Sequence, residues 1–358
     1  VLLALSAGGC KKYLDAKPDK ALVFPSSVSD LQALLDNATI INNADAGSGE
    51  ASADNYYVTD ADWATLNTEY LRRLYTWEKD NVIAPTGNDW FNSFRAIYSC
   101  NTVLENIDKV AGTGDSDSQN NVKGQALFVR GKAYFQSALI WCKAYQAGAS
   151  AKDAGLPLRL GTDFNKVYPR ANNEQTFNRV LEDLTKAASL LPMTQVTPFR
   201  PSKAAVYGLL SRVHLYMAHY QQAGAYADSC LALTRDLIDF NSLSATASFP
   251  ITRLGQEVIY ESTMTQPQLI NSTKGRIDSL LYRSYANNDL RKTIFFKDNR
   301  NGSYSFKGSY EGSGTYFSGI STNEIYLNRA ECLARTGKWD SGMKDLNAVL
   351  IKRFKSTT

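Results

Sequence analysis

In the middle of the chain, apolar residues recur at the spacing of an α-helix. One set follows steps of four, three, four and three: Val206, Leu210, Val213, Met217 and Tyr220. Such steps place side chains on a single helical face, which must be buried. Ser211 and Ala218 are small enough for a neighbouring helix to approach closely. Ala223, Ala227 and Leu231 continue at helical spacing, so the pattern predicts a helical hairpin.

The same arrangement returns near the end of the chain. A shift of 119 positions places Ser211 on Ala330, Ala218 on Gly337, Tyr220 on Trp339, Ala223 on Gly342 and Leu231 on Leu350. This order of small, small, aromatic, small and leucine is typical of the tetratricopeptide repeat, whose two helices bury their shared face only by stacking on other hairpins. Two copies predict a helical-repeat scaffold.

Further helical stripes extend this scaffold. Asn88 or Asp89 can cap a helix with one apolar face, formed by Trp90, Phe94, Ile97, Leu104 and Ile107. A second stripe holds Leu127, Tyr134, Ala138 and Trp141, and a third holds Phe177, Val180, Leu184, Ala187 and Leu191. We therefore predict an all-α fold in a single domain spanning 11–358, with tetratricopeptide-like hairpins at about 88–145, 173–235 and 321–354.

Two loop-rich segments, about 42–87 and 240–320, interrupt the helical pattern. Residues 42–62 are rich in Asn, Asp, Ser, Gly and Ala, which favours a loop rather than packed structure. In the second segment, Val258–Tyr260 and a hairpin around Asn301 and Gly302 predict a few short strands. Loops of such length in a compact protein are often functional.

Charge is distributed without a basic block. The 358 residues include 39 Lys and Arg against 35 Asp and Glu, a net charge of +4. A nucleic-acid-binding protein would concentrate its positive charge on one face or stripe. Nucleic acid is therefore not an expected partner, and no run of about 20 apolar residues predicts a membrane-spanning helix.

The first ten residues resemble the end of a secretory signal. The apolar sequence VLLALSAGG leads into Cys10, and a cysteine that follows small residues in this position is the usual site of lipid attachment. We expect residues 1–10 to be a signal-peptide remnant with Cys10 as the lipidation site, the alternative being an ordinary N-terminal strand. The remaining cysteines, Cys100, Cys142, Cys230 and Cys332, lie far apart within helical patterns and are expected to pack as small hydrophobic residues; which of them could form disulfides is left open.

Several motifs, taken in order, resemble the SusD/RagB family of nutrient-binding outer-membrane lipoproteins. They are CKKYLD at 10–15, the helix at 90–107 with Asn101, RGKAYF at 130–135, GLPL at 155–158, RPSKAAVYGLLSR at 200–212, DLR at 289–291 and EIYLNRAE at 324–331. Each motif alone is unspecific, but their order and spacing together carry the resemblance. Because family members continue beyond the last repeat, the resemblance implies a chain truncated at both ends.

The resemblance implies a function as well as a fold. Such proteins are lipid-anchored at the outer membrane, face the exterior, and capture oligosaccharides or polysaccharides, sometimes peptides, without a cofactor. Their partner is a SusC-type TonB-dependent transporter, through which the ligand is imported. The expected function is therefore nutrient binding rather than catalysis.

Candidate binding residues lie in the first loop-rich segment. Sugar capture needs flat aromatic faces together with amide or carboxylate groups. Five residues combine these properties: Asp54, Asn55, Tyr56, Tyr57 and Trp63. Trp77 and Trp90 are expected in the core. A tyrosine cluster, composed of Tyr282, Tyr285, Tyr304, Tyr310 and Tyr316, is a weaker candidate because tyrosines on strands commonly pack.

Other functions remain as alternatives. An all-α glycoside hydrolase would need two carboxylates flanking one bond, for which the candidates are Asp54, Asp60, Asp62, Asp80 and Asp89. His214 and His219, five positions apart, are predicted to lie on different faces of one helix, which disfavours a metal site. A scaffold that binds peptides or helices in its hairpin groove is the third alternative.

Overall fold

The computed structural model describes residues 25–110, 112–265 and 267–356. The predicted signal remnant and the lipidation residue Cys10 lie outside these residues. The described helices are α1 Val28–Leu35, α2 Ala38–Ile41, α3 Ser48–Ala51, α4 Asp60–Ala64, α5 Glu69–Tyr75, α6 Asp89–Asn106, α7 Ser116–Trp141, α8 Asn173–Leu190, α9 Lys203–Tyr216, α10 Tyr220–Leu233, α11 Ser279–Ser284, α12 Arg291–Ile294, α13 Thr322–Arg335 and α14 Trp339–Ile351.

The long helices pack in a series, each on the next. Helix α7 packs between α6 and α8, α8 contacts α9, and α10 joins α9 to the terminal pair α13 and α14. The apolar stripes face the shared interior: Phe177, Val180, Leu184 and Ala187 are fully buried. The predicted fold class, all-α with tetratricopeptide-like hairpins, is confirmed, because each hairpin covers the face that its neighbour cannot bury alone.

The central hairpin turns earlier than its apolar periodicity indicates. Helix α9 ends at Tyr216, and Ala218 adopts a left-handed backbone with a φ of 59°. Gly337, its counterpart in the last hairpin, has a φ of 81°. Both residues are exposed, so the prediction that Ala218 admits a neighbouring helix is wrong. It forms the turn, and Tyr220 begins α10 rather than extending the stripe of α9.

Ion pairs, one buried and one half-buried, join the scaffold helices. The Arg130 guanidinium donates from Nε and Nη2 to the two Asp183 carboxylate oxygens at 2.7 Å, and from Nη1 to Asn101 Oδ1 at 2.9 Å. This network links α6, α7 and α8. Arg212 on α9 donates to both Glu324 oxygens on α13 at 2.6 Å. Motif residues of the sequence therefore hold helices to one another.

Four antiparallel strand pairs lie in the described part of the chain. The strands are β1 Tyr56–Tyr57, β2 Ala154–Pro157, β3 Arg170–Asn172, β4 Val258–Tyr260, β5 Arg276–Ile277, β6 Phe296–Asp298, β7 Tyr304–Phe306 and β8 Ile320–Ser321. They pair as β1 with β5, β2 with β3, β4 with β8, and β6 with β7. The strand β4 and the β6–β7 hairpin around Asn301 and Gly302 confirm the predicted short strands.

The prediction that residues 42–62 form an unpacked loop is wrong. This segment holds α3, β1 and α4, and buries Ala51, Tyr56 and Val58. These residues form a satellite core with Leu66, Leu71, Leu269 and Ile270. A separate satellite core surrounds Phe240, Ile251, Val258, Ile294 and Tyr310. Distant contacts from 269–270 thus give a polar segment the apolar surface that its own composition lacks.

The four cysteines in the described residues form no disulfide with one another. Cys100, Cys230 and Cys332 are buried and Cys142 is half-buried, and all four are free. Burial raises the pKa of the Cys100 and Cys230 thiols to about 12, which suits their predicted packing role. Among the helices described, none combines the length and apolar character needed to span a membrane.

Candidate functional site

An aromatic cleft of about 340 Å³ opens between the two satellite cores. One side consists of Glu50 from helix α3, Asn55 from the segment before β1, and Tyr56 from strand β1. The opposite side comes from the second loop-rich segment and is mainly aromatic: Tyr285, Phe295, Phe296, Phe306, Tyr316 and Phe317. The cleft therefore presents flat apolar rings next to a few polar groups, the combination typical of small-molecule sites.

Ring-to-ring contacts fix the aromatic side of the cleft. The ring centroids of Phe306 and Tyr316 are 4.7 Å apart, and those of Tyr285 and Phe296 are 5.4 Å apart at an interplanar angle of 65°. Phe296 and Phe306 are paired across the β6–β7 ladder. Because cross-strand partners lie on the same side of a ladder, this hairpin presents both rings together.

Backbone pairing joins the two sides. Tyr56 lies opposite Ile277 in the β1–β5 ladder, and the Asp278 amide donates to the Asn55 carbonyl at 3.0 Å. The Tyr316 hydroxyl donates to the Ile270 carbonyl at 3.0 Å, and the Tyr56 hydroxyl to the Ala51 carbonyl at 2.6 Å. Both phenols are thus occupied in holding the cleft walls, and the cleft is preformed.

Two buried carboxylates anchor the first wall to the scaffold. Asp89 accepts hydrogen bonds from the Gly47 and Ser48 amides at 3.0 and 2.8 Å and from the Thr265 hydroxyl at 2.9 Å. Asp45 pairs with Lys132 of α7 at 2.8 Å and accepts a hydrogen bond from Ser318 at 2.7 Å. Asp89 belongs to α6 and Lys132 to α7, two scaffold helices that pack on each other, so these contacts position both loop-rich segments.

Polar groups in the cleft remain available for hydrogen bonding. Glu50 Oε1 accepts from Asn55 Nδ2 at 2.9 Å, and the Asn55 side chain is exposed. Burial, with the nearby Glu50 charge as a smaller contribution, raises the pKa of Tyr316. Burial also raises the pKa of Tyr285. These phenols therefore stay protonated at neutral pH, and Glu50 has the only carboxyl side chain among the described cleft-lining residues.

Two of the five predicted binding residues line this cleft, namely Asn55 and Tyr56. Tyr57 is the next residue on β1, and successive strand side chains point to opposite faces, so it is turned away from the cleft. The Trp63 indole packs on the satellite core and donates to the Arg72 carbonyl at 3.3 Å. Asp54 is exposed. It directly precedes the lining residue Asn55 in the chain but does not itself line the cleft.

The second loop-rich segment supplies most of the residues that line the cleft. The sequence predicts only a weaker role for its tyrosines. Of the tyrosine cluster, Tyr285 and Tyr316 line the cleft, whereas Tyr310 is buried in the satellite core. The signal available in the sequence was the density of aromatic residues at 282–317. Tyrosine packing and ligand contact are not exclusive, because a ring can bury one face and expose the other.

Trp77 departs from its prediction, whereas Trp90 follows it. Trp90 stacks on Phe94 with centroids 4.5 Å apart and packs against the main core. Trp77 is 76% exposed and has a φ of 55°, so the expectation that it is a core residue is wrong. A bulky residue in the left-handed region is uncommon. Leu74 and Tyr75, at the end of α5, pack on the satellite core, whereas Trp77 lies beyond the end of that helix.

The acidic candidates for catalysis do not assemble in the cleft. Asp89 is buried in structural hydrogen bonds, and Asp62 pairs with Lys274 at 3.1 Å. Burial opposes ionisation of Asp62, but hydrogen bonds from Lys274 and Thr59 and nearby positive charge outweigh it, so the pKa of that carboxyl is lowered. Asp54, Asp60 and Asp80 are exposed, and none of the five lines the aromatic cleft.

The two histidines lie closer together than predicted. Their Nδ1 atoms are 3.4 Å apart, because α9 ends between them and the chain turns back; the expectation of different faces of one helix is wrong. Burial, with the His219 charge as a smaller contribution, lowers the pKa of His214 to about 4. No group of three His, Cys, Asp or Glu side chains suited to a metal occurs in the described residues.

More than half of the chain matches a known protein family. Residues 12–215 match the model of the SusD-like family, described as starch-binding and associating with the outer membrane. The match includes the first three scaffold helices α6, α7 and α8 and the first wall of the cleft. Among curated proteins, none matches the chain in sequence.

Three solved structures with the same fold come from Bacteroides species. A candidate sugar-binding protein of Bacteroides vulgatus shares 21% identity at a TM-score of 0.77, over 92% of this chain and 79% of that protein. A SusD superfamily protein of Bacteroides fragilis shares 20% identity at 0.73, over 94% and 82%. Surface glycan-binding protein A of Bacteroides fluxus shares 14% at 0.67, over 93% and 83%.

Proposed function

Because the chain belongs to the SusD-like family of starch-binding proteins that associate with the outer membrane, we propose that it captures oligosaccharides or polysaccharides at the cell surface for import. The ligand is held in the aromatic cleft and released without chemical change. A SusC-type TonB-dependent transporter is the proposed recipient, and lipidation at Cys10 the proposed anchor, with the protein facing the exterior.

The composition of the aromatic cleft carries this proposal. Sugars present apolar ring faces that stack on aromatic side chains and hydroxyls that need hydrogen-bond partners. Phe296 and Phe306 offer such faces from a rigid hairpin, while Glu50, Asn55 and Ser309 offer hydrogen-bonding groups. The preformed walls reduce the ordering cost of binding.

The distribution of carboxylates supports binding rather than hydrolysis. Glycoside hydrolysis ordinarily uses two carboxylates on opposite sides of the scissile bond. Glu50 is the single carboxylate among the described residues that line the aromatic cleft. A ligand in this cleft would therefore meet one acid and no acidic or basic partner across from it.

Affinity electrophoresis and reducing-end analysis with a panel of glycans test the proposal. We expect one or more glycans to retard migration while no new reducing ends form. Product release would establish a glycoside hydrolase, and binding of peptides in place of glycans would establish the peptide-binding alternative; either result would overturn the proposal. Isothermal titration calorimetry would then give the Kd of the retarded glycan.

Two pairs of variants locate the site. Phe306→Ala removes a cleft ring and is expected to weaken glycan binding about tenfold, equivalent to about 1.4 kcal/mol. Phe164→Ala is the matched control, since Phe164 is 73% exposed between β2 and β3 and does not line the cleft. Asn55→Ala should weaken binding while Asn67→Ala, another exposed amide, should not. If the two variants in each pair bind the glycan with equal affinity, the aromatic cleft is not the binding site.

A further inference from the structure

A second depression adjoins the aromatic cleft and carries the opposite charge. It has a volume of about 720 Å³ and shares Phe296 and Phe306 with the aromatic cleft. Its charged lining residues are Lys292, Lys297, Lys307 and Asp298, three cations against one anion. We call this depression the basic cleft. The same two rings thus lie between a wall with one carboxylate, Glu50, and a wall with an excess of ammonium groups.

The ammonium charges in the basic cleft are not neutralised within the described structure. Lys292 Nζ donates to the Tyr285 carbonyl at 2.9 Å, and Lys307 Nζ donates to the Ala245 and Thr293 carbonyls at 2.9 Å. Carbonyl groups satisfy hydrogen bonds but carry no opposing charge. Lys297 pairs through its backbone with Ser305 in the β6–β7 ladder, but its exposed ammonium group has no hydrogen-bond or ion-pair partner among the described residues.

Other lysines of the described chain do pair with carboxylates. Lys132 pairs with Asp45, Lys274 with Asp62, and Lys352 with Asp239. In the basic cleft the single carboxylate, Asp298, accepts the Arg300 amide at 2.7 Å and so belongs to the turn between β6 and β7. Positive charge concentrated in a concave surface raises the local concentration of anionic ligands.

From this geometry we infer that the ligand is an anionic oligosaccharide, which bears carboxylate or sulfate groups and occupies both clefts. The inference rests on the proposed function, because the sugar rings would stack on Phe296 and Phe306. The anionic groups would then reach the ammonium groups of the basic cleft. A neutral glycan would use the aromatic cleft alone.

Calorimetric titration with matched pairs of oligosaccharides tests this inference. Oligogalacturonate is compared with its methyl ester, which has the same backbone without the charge, and a sulfated chondroitin oligosaccharide with its desulfated form. We expect at least one anionic member to bind tenfold or more tightly than its neutral partner, with an advantage that declines as salt is raised. The pair that responds identifies the anionic group.

A charge variant assigns the effect to the basic cleft. Lys297→Gln should weaken binding of the anionic member about two- to fivefold, as expected for one partly exposed ion pair, and leave the neutral member unchanged. Lys186→Gln, which removes one exposed charge from α8, is the control and should change neither. Retained binding of the neutral member confirms that the Lys297 variant is folded.

The outcomes separate this inference from the proposed function. If neutral panel glycans bind but neither anionic oligosaccharide binds more tightly than its neutral partner, the inference is overturned and glycan capture stands. If Lys186→Gln and Lys297→Gln weaken the anionic ligand equally, the basic cleft is not the site. If no glycan binds at all, the inference and the proposed function are both overturned.

Discussion

The helical scaffold and the two clefts differ in whether their charged side chains are paired. In the scaffold, Arg130 and Asp183 are nearly fully buried and meet through two parallel hydrogen bonds of 2.7 Å. In the clefts, Glu50 and Lys297 keep their charges accessible and without a charged partner among the described residues. Paired buried charge fixes one helix against the next, whereas unpaired charge in a concave surface is available to a ligand. The contrast separates structural groups from functional ones.

The largest expected effect comes from breaking the scaffold network. Arg130→Ala leaves the Asp183 carboxylate buried with only part of its partners, and should lower the free energy of unfolding by about 3–5 kcal/mol. Denaturant unfolding measures the loss. Arg335→Ala is the control, because its pair with Glu331 is exposed on one helix and its removal should change the free energy of unfolding far less. Similar losses for both variants would contradict the structural role of Arg130.

A second change affects how closely the last hairpin nests. A Cβ atom added at Gly342 would lie 2.8 Å from the Ala330 carbonyl oxygen, a backbone atom of α13. Gly342→Ala should therefore lower the free energy of unfolding by about 1–2 kcal/mol, despite the better helix propensity of alanine.

The control for this hairpin variant is another helical glycine. At Gly49 on α3 an added Cβ meets nothing within 4 Å, so Gly49→Ala should be neutral or slightly stabilising in the same denaturation experiment. A stabilised Gly342→Ala protein would mean that α13 and α14 are not in close contact.

A pH-dependent effect on the free energy of unfolding is expected at Glu261, in the second loop-rich segment. Burial raises the pKa of Glu261 to about 7, although the Arg253 guanidinium opposes the rise. The folded protein then binds this proton more tightly than the unfolded chain, whose carboxyl has an ordinary pKa of 4.5. Stability from this group is therefore lost as pH rises from about 4.5 through about 7.

Glu261→Gln removes this titration. The difference in unfolding free energy between about pH 5 and about pH 8 should shrink by roughly 1–3 kcal/mol, measured by denaturant unfolding at each pH. Glu331→Gln, at an exposed ion pair, should leave the pH dependence as it is in the parent. An unchanged profile for Glu261→Gln would show that this carboxyl has no raised pKa.

The smallest effect concerns the exposed tryptophan on the loop side. Trp77→Gly should be more stable than Trp77→Ala by about 1 kcal/mol, because glycine adopts a φ of 55° without steric cost. Thermal or denaturant unfolding of the two variants measures the difference. Equal stabilities would indicate that the backbone leaves the left-handed region once the indole is removed.

The sequence alone determined the all-α class, the hairpin helices and the family resemblance. Helical periodicity is a local property, so stripes such as Phe177 to Leu184 predict a buried face without knowledge of the partner. The same reasoning did not predict the end of α9, because Met217 and Tyr220 continue the apolar spacing on both sides of the turn at Ala218. Periodicity reports which residues are buried, not on which helix they lie.

Only the tertiary structure decided where the clefts lie. Asn55 and Tyr56 are brought next to Phe306 and Tyr316 by the β1–β5 ladder and by the contacts of Asp89 and Asp45. The Asp89 contact with Thr265 spans 176 positions of the chain, and the Asp45 contact with Ser318 spans 273. Such contacts depend on the path of the whole chain, and no local pattern encodes them. For the same reason the positive charge of Lys292, Lys297 and Lys307 is unremarkable along the sequence and becomes a distinct surface only when the chain is folded.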